Sequence, residues 1–218
     1  GNRAISSRVG SADVLEALGV NLSLSPTAVT QCIDDLGVGF MFAPHHHRAL
    51  RHAGPVRREL GFRTMLNLLG PMTNPASATH QLVGIFDASR VRTVAAVLGH
   101  LGAKRALVVH GCDGLDEITL AGPTQAALWN GSTVEDLTLQ PQDVGLDTAN
   151  ADALAGGDAH HNAAIIRRVL SGEEGPCTDI VRLNAGASLW IAEAADSLVD
   201  GVQLATELMQ ASAPPERL

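Results

Sequence analysis

Acidic residues follow a continuous apolar run in the middle of the chain. Residues 105–109 (RALVV) predict a buried strand, and Asp113-Gly114-Leu115-Asp116-Glu117 comes just after it. Open α/β sheets bind their ligands at the carboxyl ends of strands. Mg²⁺ takes one or two protein carboxylates and keeps water and substrate phosphate as its other ligands. Asp116 and Glu117 are therefore candidate magnesium ligands.

The close spacing of this pair sets a condition on the backbone. Adjacent side chains of a regular strand point to opposite faces. Asp116 and Glu117 can serve one site only if the chain turns there, and Gly114 permits such a turn. Otherwise each carboxylate serves a different ion, or the motif is a solvated acidic turn.

A second candidate site lies at the start of the sequence. Gly1-Asn2-Arg3-Ala4-Ile5-Ser6-Ser7 is followed by Gly10-Ser11-Ala12-Asp13, where a helix is predicted to begin. Backbone amides, serine hydroxyls and the positive end of a helix dipole can together bind a phosphate. The alternative is a capped surface helix, because glycine and serine are common and the pattern is not a P-loop.

Arginines are concentrated in one part of the chain, at positions 48, 51, 57, 58 and 63. A forked guanidinium binds a carboxylate through two parallel hydrogen bonds. Arg57 and Arg58 are adjacent, so a helix cannot direct both into one cleft. The residues alone leave open which of them binds a ligand; the other is solvated or paired with Glu59.

Other reactive side chains indicate a site less strongly. The histidines at 45–47 point in divergent directions on a helix and have no carboxylate or cysteine at metal-binding spacing. The pair His160-His161 is interpreted in the same way. Cys112 has no evident His–Asp partner set, so we expect it to be a small buried thiol.

The elements that position these residues are predicted from hydrophobic periodicity and turn residues. The strand–helix–strand order over 81–109 predicts a parallel crossover, whereas short strands around Gly122-Pro123 predict an antiparallel part. We therefore expect the α/β class, with a mixed, largely parallel sheet flanked by helices. Predicted helices cover 11–18, 26–36, 45–60, 63–69, 89–101, 164–170, 178–194 and 197–209, and predicted strands cover 38–42, 81–86, 105–109, 117–120 and 125–129.

The composition limits the classes of function. Hydrophobic residues make up 45 % of the 218 residues, which argues against disorder. A net charge of −8 argues against nucleic-acid binding, and 3 % aromatic residues argue against base stacking. No apolar stretch is long enough for a membrane span, and three cysteines without a Cys-x-x-Cys pair favour the cytoplasm. The first residue is not methionine, which predicts a piece of a longer protein.

Several sequence blocks together resemble one family. In order, they are GNRAISS, GSADVLEALG, FAPHHHRALRHAGPVRRELGFRTMLNLLGPMTNP, LVVHGCDGLDEIT, GGDAHHNAAIIRRVLSG and LNAGASLWIA. The chain resembles anthranilate phosphoribosyltransferases from end to end. The resemblance implies transfer of the phosphoribosyl group from 5-phosphoribosyl 1-diphosphate (PRPP) to the amine of anthranilate, in tryptophan biosynthesis. The products would be N-(5-phosphoribosyl)anthranilate and diphosphate.

The resemblance also implies roles for single residues. The PRPP loop of the family is matched by Gly1, Asn2, Arg3, Ala4, Ile5, Ser6 and Ser7, and a further PRPP contact is matched by Ser11. Asn2 also matches a contact with anthranilate. Arg57, rather than Arg58, matches the arginine that binds the anthranilate carboxylate. Asp116 and Glu117 match the pair that binds Mg²⁺ under the PRPP diphosphate.

The architecture and partners are implied in the same way. Residues 1–218 would form the large α/β domain of the nucleoside phosphorylase and phosphoribosyltransferase type, truncated at its N-terminus. Residues 44–70 would contribute to a small helical domain. The family's Gly-Thr-Gly-Gly-Asp loop and Asn-x-Ser-Thr segment do not occur in this sequence, so we expect the chain alone to be weak or inactive. We expect full-length members to be cytoplasmic homodimers.

Two other functions stay open at this stage. The first is a related nucleoside phosphorylase, which has the same fold and also uses an anionic co-substrate. The second is a non-catalytic paralogue that binds nucleic acid. The sequence block around Arg57 and the acidic pair in Gly114-Leu115-Asp116-Glu117 favour the transferase. The net charge of −8 counts against the nucleic-acid binder.

Overall fold

The structure, a computed structural model, describes residues 1–3, 9–46, 59 and 66–211, and divides into two units. Described residues up to His46 and residues 156–171 belong to the first unit, and residues 66–155 and 172–211 belong to the second. Within these ranges the structure contains no helix that is long and apolar enough to cross a membrane.

The helices and strands alternate only in the middle of the chain. In order, they are α1 (Ser11–Ala17), α2 (Pro26–Leu36), α3 (Ala43–His46), α4 (Leu66–Met72), β1 (His80–Gly84), α5 (Val91–His100), β2 (Arg105–Gly111), β3 (Thr124–Trp129), β4 (Val134–Leu139), α6 (Ala159–Leu170), α7 (Pro176–Ile191) and α8 (Leu198–Gln210).

The first unit consists of helices α1, α2, α3 and α6 in the described residues. Ser25 begins α2 as predicted, because its Oγ accepts a hydrogen bond from the Ala28 amide at 3.2 Å. The predicted strand over 38–42 is wrong. This apolar segment packs back on α2, where a Cβ on Gly39 would lie 2.7 Å from the side chain of Ile33.

The second unit contains a four-stranded sheet in the order β1-β2-β3-β4. β1 and β2 are parallel, with His80 opposite Arg105, and α5 connects them as predicted. The β2–β3 and β3–β4 pairs are antiparallel. The α/β class and the mixed sheet are confirmed, but parallel pairing does not predominate among the described strands. The reason is that only β1 and β2 are separated by a crossover helix, which parallel neighbours require.

One strand prediction near this sheet is wrong, and one strand was missed. Residues 117–120 form no strand, because their backbone hydrogen bonds go to side chains and loops instead of a neighbouring strand. The strand Val134–Leu139 was not predicted. Its side chains are mostly half-exposed or exposed, so its apolar signal is weak.

The core lies on both faces of β2, which is the most buried strand. Leu107 and Val109 face a cluster that includes Leu183 and Ile191 of α7. Alternate residues, among them Val108, face a second cluster formed with α5. Burial on both faces explains why this strand reads as a continuous apolar run.

Helices α7 and α8 approach each other closely at two glycines. A Cβ on Gly201 would lie 2.2 Å from the carbonyl oxygen of Gly186, and a Cβ on Gly186 would lie 2.5 Å from the Val202 amide nitrogen. The absence of side chains at these positions lets the two backbones touch. This contact fixes α7, the helix that covers the sheet.

The start of α7 is fixed by a buried arginine. Arg182 is 9 % exposed, and its Nη1 and Nη2 donate to the two carboxylate oxygens of Glu174 at 2.9 and 2.8 Å. Asp179 accepts a further bond from Nη1 at 3.3 Å. The hydrogen bonds from Arg182 lower the pKa of Glu174.

We expect Glu174→Gln to lower the melting temperature at pH 7, because it leaves the Arg182 charge with one carboxylate partner. A lowered pKa means that Glu174 stabilises the fold above the ordinary pKa of glutamate, about 4.3. This stabilisation is lost as the pH falls through the lowered pKa. The difference in melting temperature should therefore shrink in acid, as thermal denaturation over a pH series would show.

Asp147→Asn is a suitable control, because Asp147 is exposed and forms no ion pair with any described residue. This substitution should leave the melting temperature nearly unchanged at every pH. A Glu174→Gln effect that stays constant down to pH 3 would contradict the assignment.

Candidate functional site

The acidic pair lies in the segment between β2 and β3, at the carboxyl end of β2. Gly114 has a φ of +89°, and residues 115–120 form no strand. Asp116 and Glu117 lie at a bend and both line one cavity. The backbone therefore meets the condition set by their adjacency, because it turns and both residues line one cavity.

The last residue of β1 fixes the position of this bend. A Cβ on Gly84 would lie 1.5 Å from the carbonyl oxygen of Asp116, so only glycine allows the observed approach. The carboxyl end of β1 is thus packed directly against the backbone that carries the pair. A glycine inside a strand pattern indicates such an approach, and this signal was available in the sequence QLVGIF.

Polar side chains stabilise the rest of the segment. Asp113 accepts a hydrogen bond from the Thr119 hydroxyl at 2.8 Å, and the Thr119 amide donates to Thr124 Oγ1 at 3.0 Å. Both threonines are fully buried. Asp113 therefore stabilises the conformation of the segment through a hydrogen bond, and unlike Asp116 and Glu117 it does not line the cavity.

Helix α7 provides one further contact with the segment. Asn184 Oδ1 accepts a hydrogen bond from the Ile118 amide at 3.0 Å, and its Nδ2 donates to the Ile118 carbonyl at 2.9 Å. Asn184 was not among the site residues predicted from the sequence. The available signal was an asparagine within an apolar helical stretch, LNAGASLWI, where this residue is unfavourable without a specific partner.

The cavity has a volume of about 430 Å³. Its wall is formed by Leu82, Gly84, Val109, Asp116, Glu117, Ile180, Val181, Asn184, Ala185 and Ser188. The pKa of Glu117 is raised, mainly because surrounding protein atoms partly desolvate its carboxylate, although the residue is exposed, and also because the Asp116 charge repels it. Two neighbouring carboxylates create a negative electrostatic potential that attracts a cation.

The donor set of the pair suits Mg²⁺ rather than a metal that needs a complete protein cage. The described residues contain no group of three or more histidine, cysteine or acidic side chains that could bind a metal ion. Two carboxylates leave most of the octahedral shell of Mg²⁺ to water and to a phosphate-bearing ligand.

The start of the chain is packed against α1 in the first unit. A Cβ on Gly1 would lie 2.3 Å from the ring of Phe40 and 2.6 Å from Ser11 Oγ, so Gly1 has no space for a side chain. The carbonyl of Asn2 accepts a hydrogen bond from the Ala12 amide at 3.1 Å. The structure thus brings together Gly1, Asn2 and Ser11.

The backbone amides at the start of α1 are not free to bind a phosphate. The amides of Ala12, Asp13 and Val14 already donate to carbonyls of Asn2 and Gly10. What this end of α1 offers a ligand is therefore the hydroxyl of Ser11, which is exposed, rather than these three amides.

Arg3 is bound by acidic residues of α1. Its Nη1 lies 2.9 Å from Asp13 Oδ1 and 2.8 Å from Glu16 Oε2, and its Nη2 lies 3.0 Å from Glu16 Oε1. These bonds lower the pKa of Glu16. The guanidinium thus anchors the chain start to the helix.

The remaining predicted site residues, Ala4, Ile5, Ser6, Ser7 and Arg57, lie outside the described residues. The expectation for Cys112 is wrong, since this residue is exposed. Its backbone is bound in the loop, where the Cys112 amide donates to the Pro123 carbonyl at 3.1 Å, and the thiol is left at the surface.

We expect Gly84→Ala to destabilise the protein by about 1–3 kcal/mol, the usual cost of overpacking. The added methyl group must displace the Asp116 carbonyl, so binding of a divalent cation should weaken as well. Thermal denaturation and titration with Mn²⁺ would measure the two effects.

Gly70→Ala is the matched control, because a Cβ on this glycine of α4 meets no described atom within 4 Å. The control should keep its cation affinity and gain up to about 1 kcal/mol from helix propensity. Equal stability of Gly84→Ala and the unmodified chain would contradict the close approach.

Two curated proteins similar to this chain carry the same name. The chain is 56 % identical over 214 residues to the anthranilate phosphoribosyltransferase of Rubrobacter xylanophilus, which covers 98 % of this chain and 63 % of that protein. It is 53 % identical over 221 residues to that of Thermomicrobium roseum, covering 100 % of this chain and 64 % of the relative. The chain thus spans less than two thirds of the length of these relatives.

Solved structures show the same fold. The anthranilate phosphoribosyltransferase of Thermus thermophilus superposes with a TM-score of 0.89 at 49 % identity, over 96 % of this chain and 62 % of the other. The enzyme from Saccharomyces cerevisiae in complex with PRPP and Mg gives a TM-score of 0.83 at 25 % identity, over 97 % and 60 %. Residues 1–213 match the model of the glycosyl transferase family, a/b domain, and the chain therefore belongs to that family.

Proposed function

We propose that the protein to which this chain belongs transfers the phosphoribosyl group of PRPP to the anthranilate amine. The products are N-(5-phosphoribosyl)anthranilate and diphosphate, in tryptophan biosynthesis. The observation that carries this proposal is the acidic pair Asp116–Glu117 at one cavity wall, in a chain that is 56 % identical to an anthranilate phosphoribosyltransferase. No specific observation favours a nucleoside phosphorylase or a nucleic-acid binder.

Asp116 and Glu117 would bind Mg²⁺ in this proposal. A bound Mg²⁺ neutralises the diphosphate and makes it a better leaving group. The pKa of Glu117 is raised mainly by desolvation and also by repulsion from Asp116, and a cation bound between the two carboxylates would stabilise their charged forms. The yeast enzyme similar to this chain has been solved with PRPP and Mg.

The chain start would bind PRPP through the segment Gly1 to Ser7 and through Ser11. The close contact of Gly1 with Ser11 Oγ supports this, because it holds Gly1 beside the serine hydroxyl. Arg3 serves the loop as an anchor, since its guanidinium is bound to Asp13 and Glu16.

Anthranilate would be bound by Asn2 and by Arg57. A bidentate arginine fixes the plane of the substrate carboxylate and thereby directs the amine toward C1 of the ribose. The contribution of these residues is orientation, which converts an encounter of two substrates into a reaction within one complex. Attack from the face opposite the diphosphate inverts C1, without a covalent intermediate or a strong general base.

The small helical segment 44–70 and a homodimeric assembly belong to the same proposal. The chain spans 63–64 % of its relatives' length, so we assign activity to the longest natural chain that contains this sequence. The 218 residues by themselves should bind Mg–PRPP weakly, and isothermal titration tests this directly.

We expect Asp116→Asn and Glu117→Gln to abolish Mg-dependent binding of PRPP in the longest natural chain, because each removes one of two carboxylate ligands. Isothermal titration measures the binding, and the loss of anthranilate fluorescence measures the reaction. Asp147→Asn is the control and should behave like the unmodified protein. Full Mg–PRPP binding by either variant would exclude this metal pair, and phosphorolysis of a nucleoside without anthranilate consumption would exclude the transferase.

Arg57→Ala should raise the KM for anthranilate about ten- to a hundredfold, the effect of losing a charged hydrogen-bonding partner. The KM for PRPP should change little, because Arg57 contacts the other substrate. Arg58→Ala is the matched control, and its KM for anthranilate should stay within about twofold. Equal effects of the two substitutions in steady-state kinetics would overturn the choice of Arg57.

A further inference from the structure

We propose that Asn184 is a positioning residue for the cation site. Its side-chain amide fixes the backbone of Ile118 and so places the carboxylates of Asp116 and Glu117 at the cavity wall. This inference rests on the proposed function, in which those carboxylates bind the cation. It adds the residue on which their placement depends.

The amide of Asn184 makes a paired contact with a single residue. It accepts from the Ile118 amide at 3.0 Å and donates to the Ile118 carbonyl at 2.9 Å. The side chain thus forms with Ile118 the two bonds that a neighbouring strand would otherwise form. A third bond, from Nδ2 to the Ile180 carbonyl at 3.0 Å, locks the asparagine on its own helix.

The segment 115–120 depends on this contact because it is not paired with any strand of the sheet. Residues 115–120 form no strand, yet Ile118 is only 1 % exposed. A buried backbone amide or carbonyl without a partner is costly. Asn184 supplies partners for both groups of Ile118, which directly follows Glu117 in the chain.

Asn184 lines the cavity, and its side-chain amide is already hydrogen-bonded to the backbone. It lines the same wall as the acidic pair. Its oxygen and its amino group, however, are both engaged by backbone groups of Ile118 and Ile180. Its effect on the cation must pass through the position of the backbone.

The test is cation binding by the longest natural chain that contains this sequence, with Mn²⁺ as the probe and the free Mn²⁺ signal in electron paramagnetic resonance as the readout. Asn184→Ala should weaken Mn²⁺ binding at least about tenfold, the range found when residues that orient metal ligands are removed. Asn184→Leu keeps the side-chain volume without hydrogen bonds, and it should show the same loss. This second variant answers the question if the alanine variant does not fold.

Asn162→Ala is the matched control. Asn162, on α6, also bonds both backbone groups of one loop residue, since its Oδ1 accepts from the Gly157 amide at 2.7 Å and its Nδ2 donates to the Gly157 carbonyl at 3.5 Å. Its truncation should lower the melting temperature as Asn184→Ala does, but the Mn²⁺ affinity of the folded protein should stay unchanged. A merely structural role for Asn184 would make the two variants alike.

Three outcomes separate this inference from the function on which it rests. Loss of Mn²⁺ binding in Asp116→Asn and in both Asn184 variants supports both. Loss in Asp116→Asn with unchanged affinity in a folded Asn184 variant overturns the positioning role alone. Equal Mn²⁺ binding by the unmodified chain and by Asp116→Asn overturns the metal pair and the positioning role together.

Discussion

The acidic site depends on a backbone contact, the close approach of Gly84 to the carbonyl of Asp116. The end of β1 and the bend after β2 can touch only because one of them has no side chain. This contact sets where the chain turns, and the turn brings two adjacent carboxylates to one wall instead of opposite faces. The position of Thr119 and its bonds to Asp113 and Thr124 follow from the same turn.

Helix α7 links the stability of the fold to the geometry of the site. Leu183 packs on the buried strand β2, Gly186 lies against α8, and Asn184 binds the backbone next to Glu117. Residues one or two positions apart on the helix thus serve the core, the helix crossing and the acidic segment. A shift in the position of α7 must also change the cavity, because all three contacts are made by this one helix.

Periodicity and composition predicted the parts of this protein that are built from local signals. The apolar strand β2, the crossover helix α5 and the Ser25 cap of α2 followed from residue patterns. The strand Val134–Leu139 did not, because its burial is slight and its pairing with β3 is decided by the sheet. Asp116 and Glu117 were predicted as site residues because acidic residues follow an apolar run. Asn184 lies 67 positions from Glu117 along the chain, and no local pattern reports a contact of that separation.

The ion pairs of Arg3 affect how much positive charge the chain start can offer an anionic ligand. Its guanidinium is already paired with Asp13 and Glu16, so in a chain with a net charge of −8 the charge of Arg3 is not free to attract a diphosphate. In the proposed function, a cation already shared with the substrate's phosphates would supply part of that attraction. The free concentration of divalent ions would then limit how much substrate the protein binds.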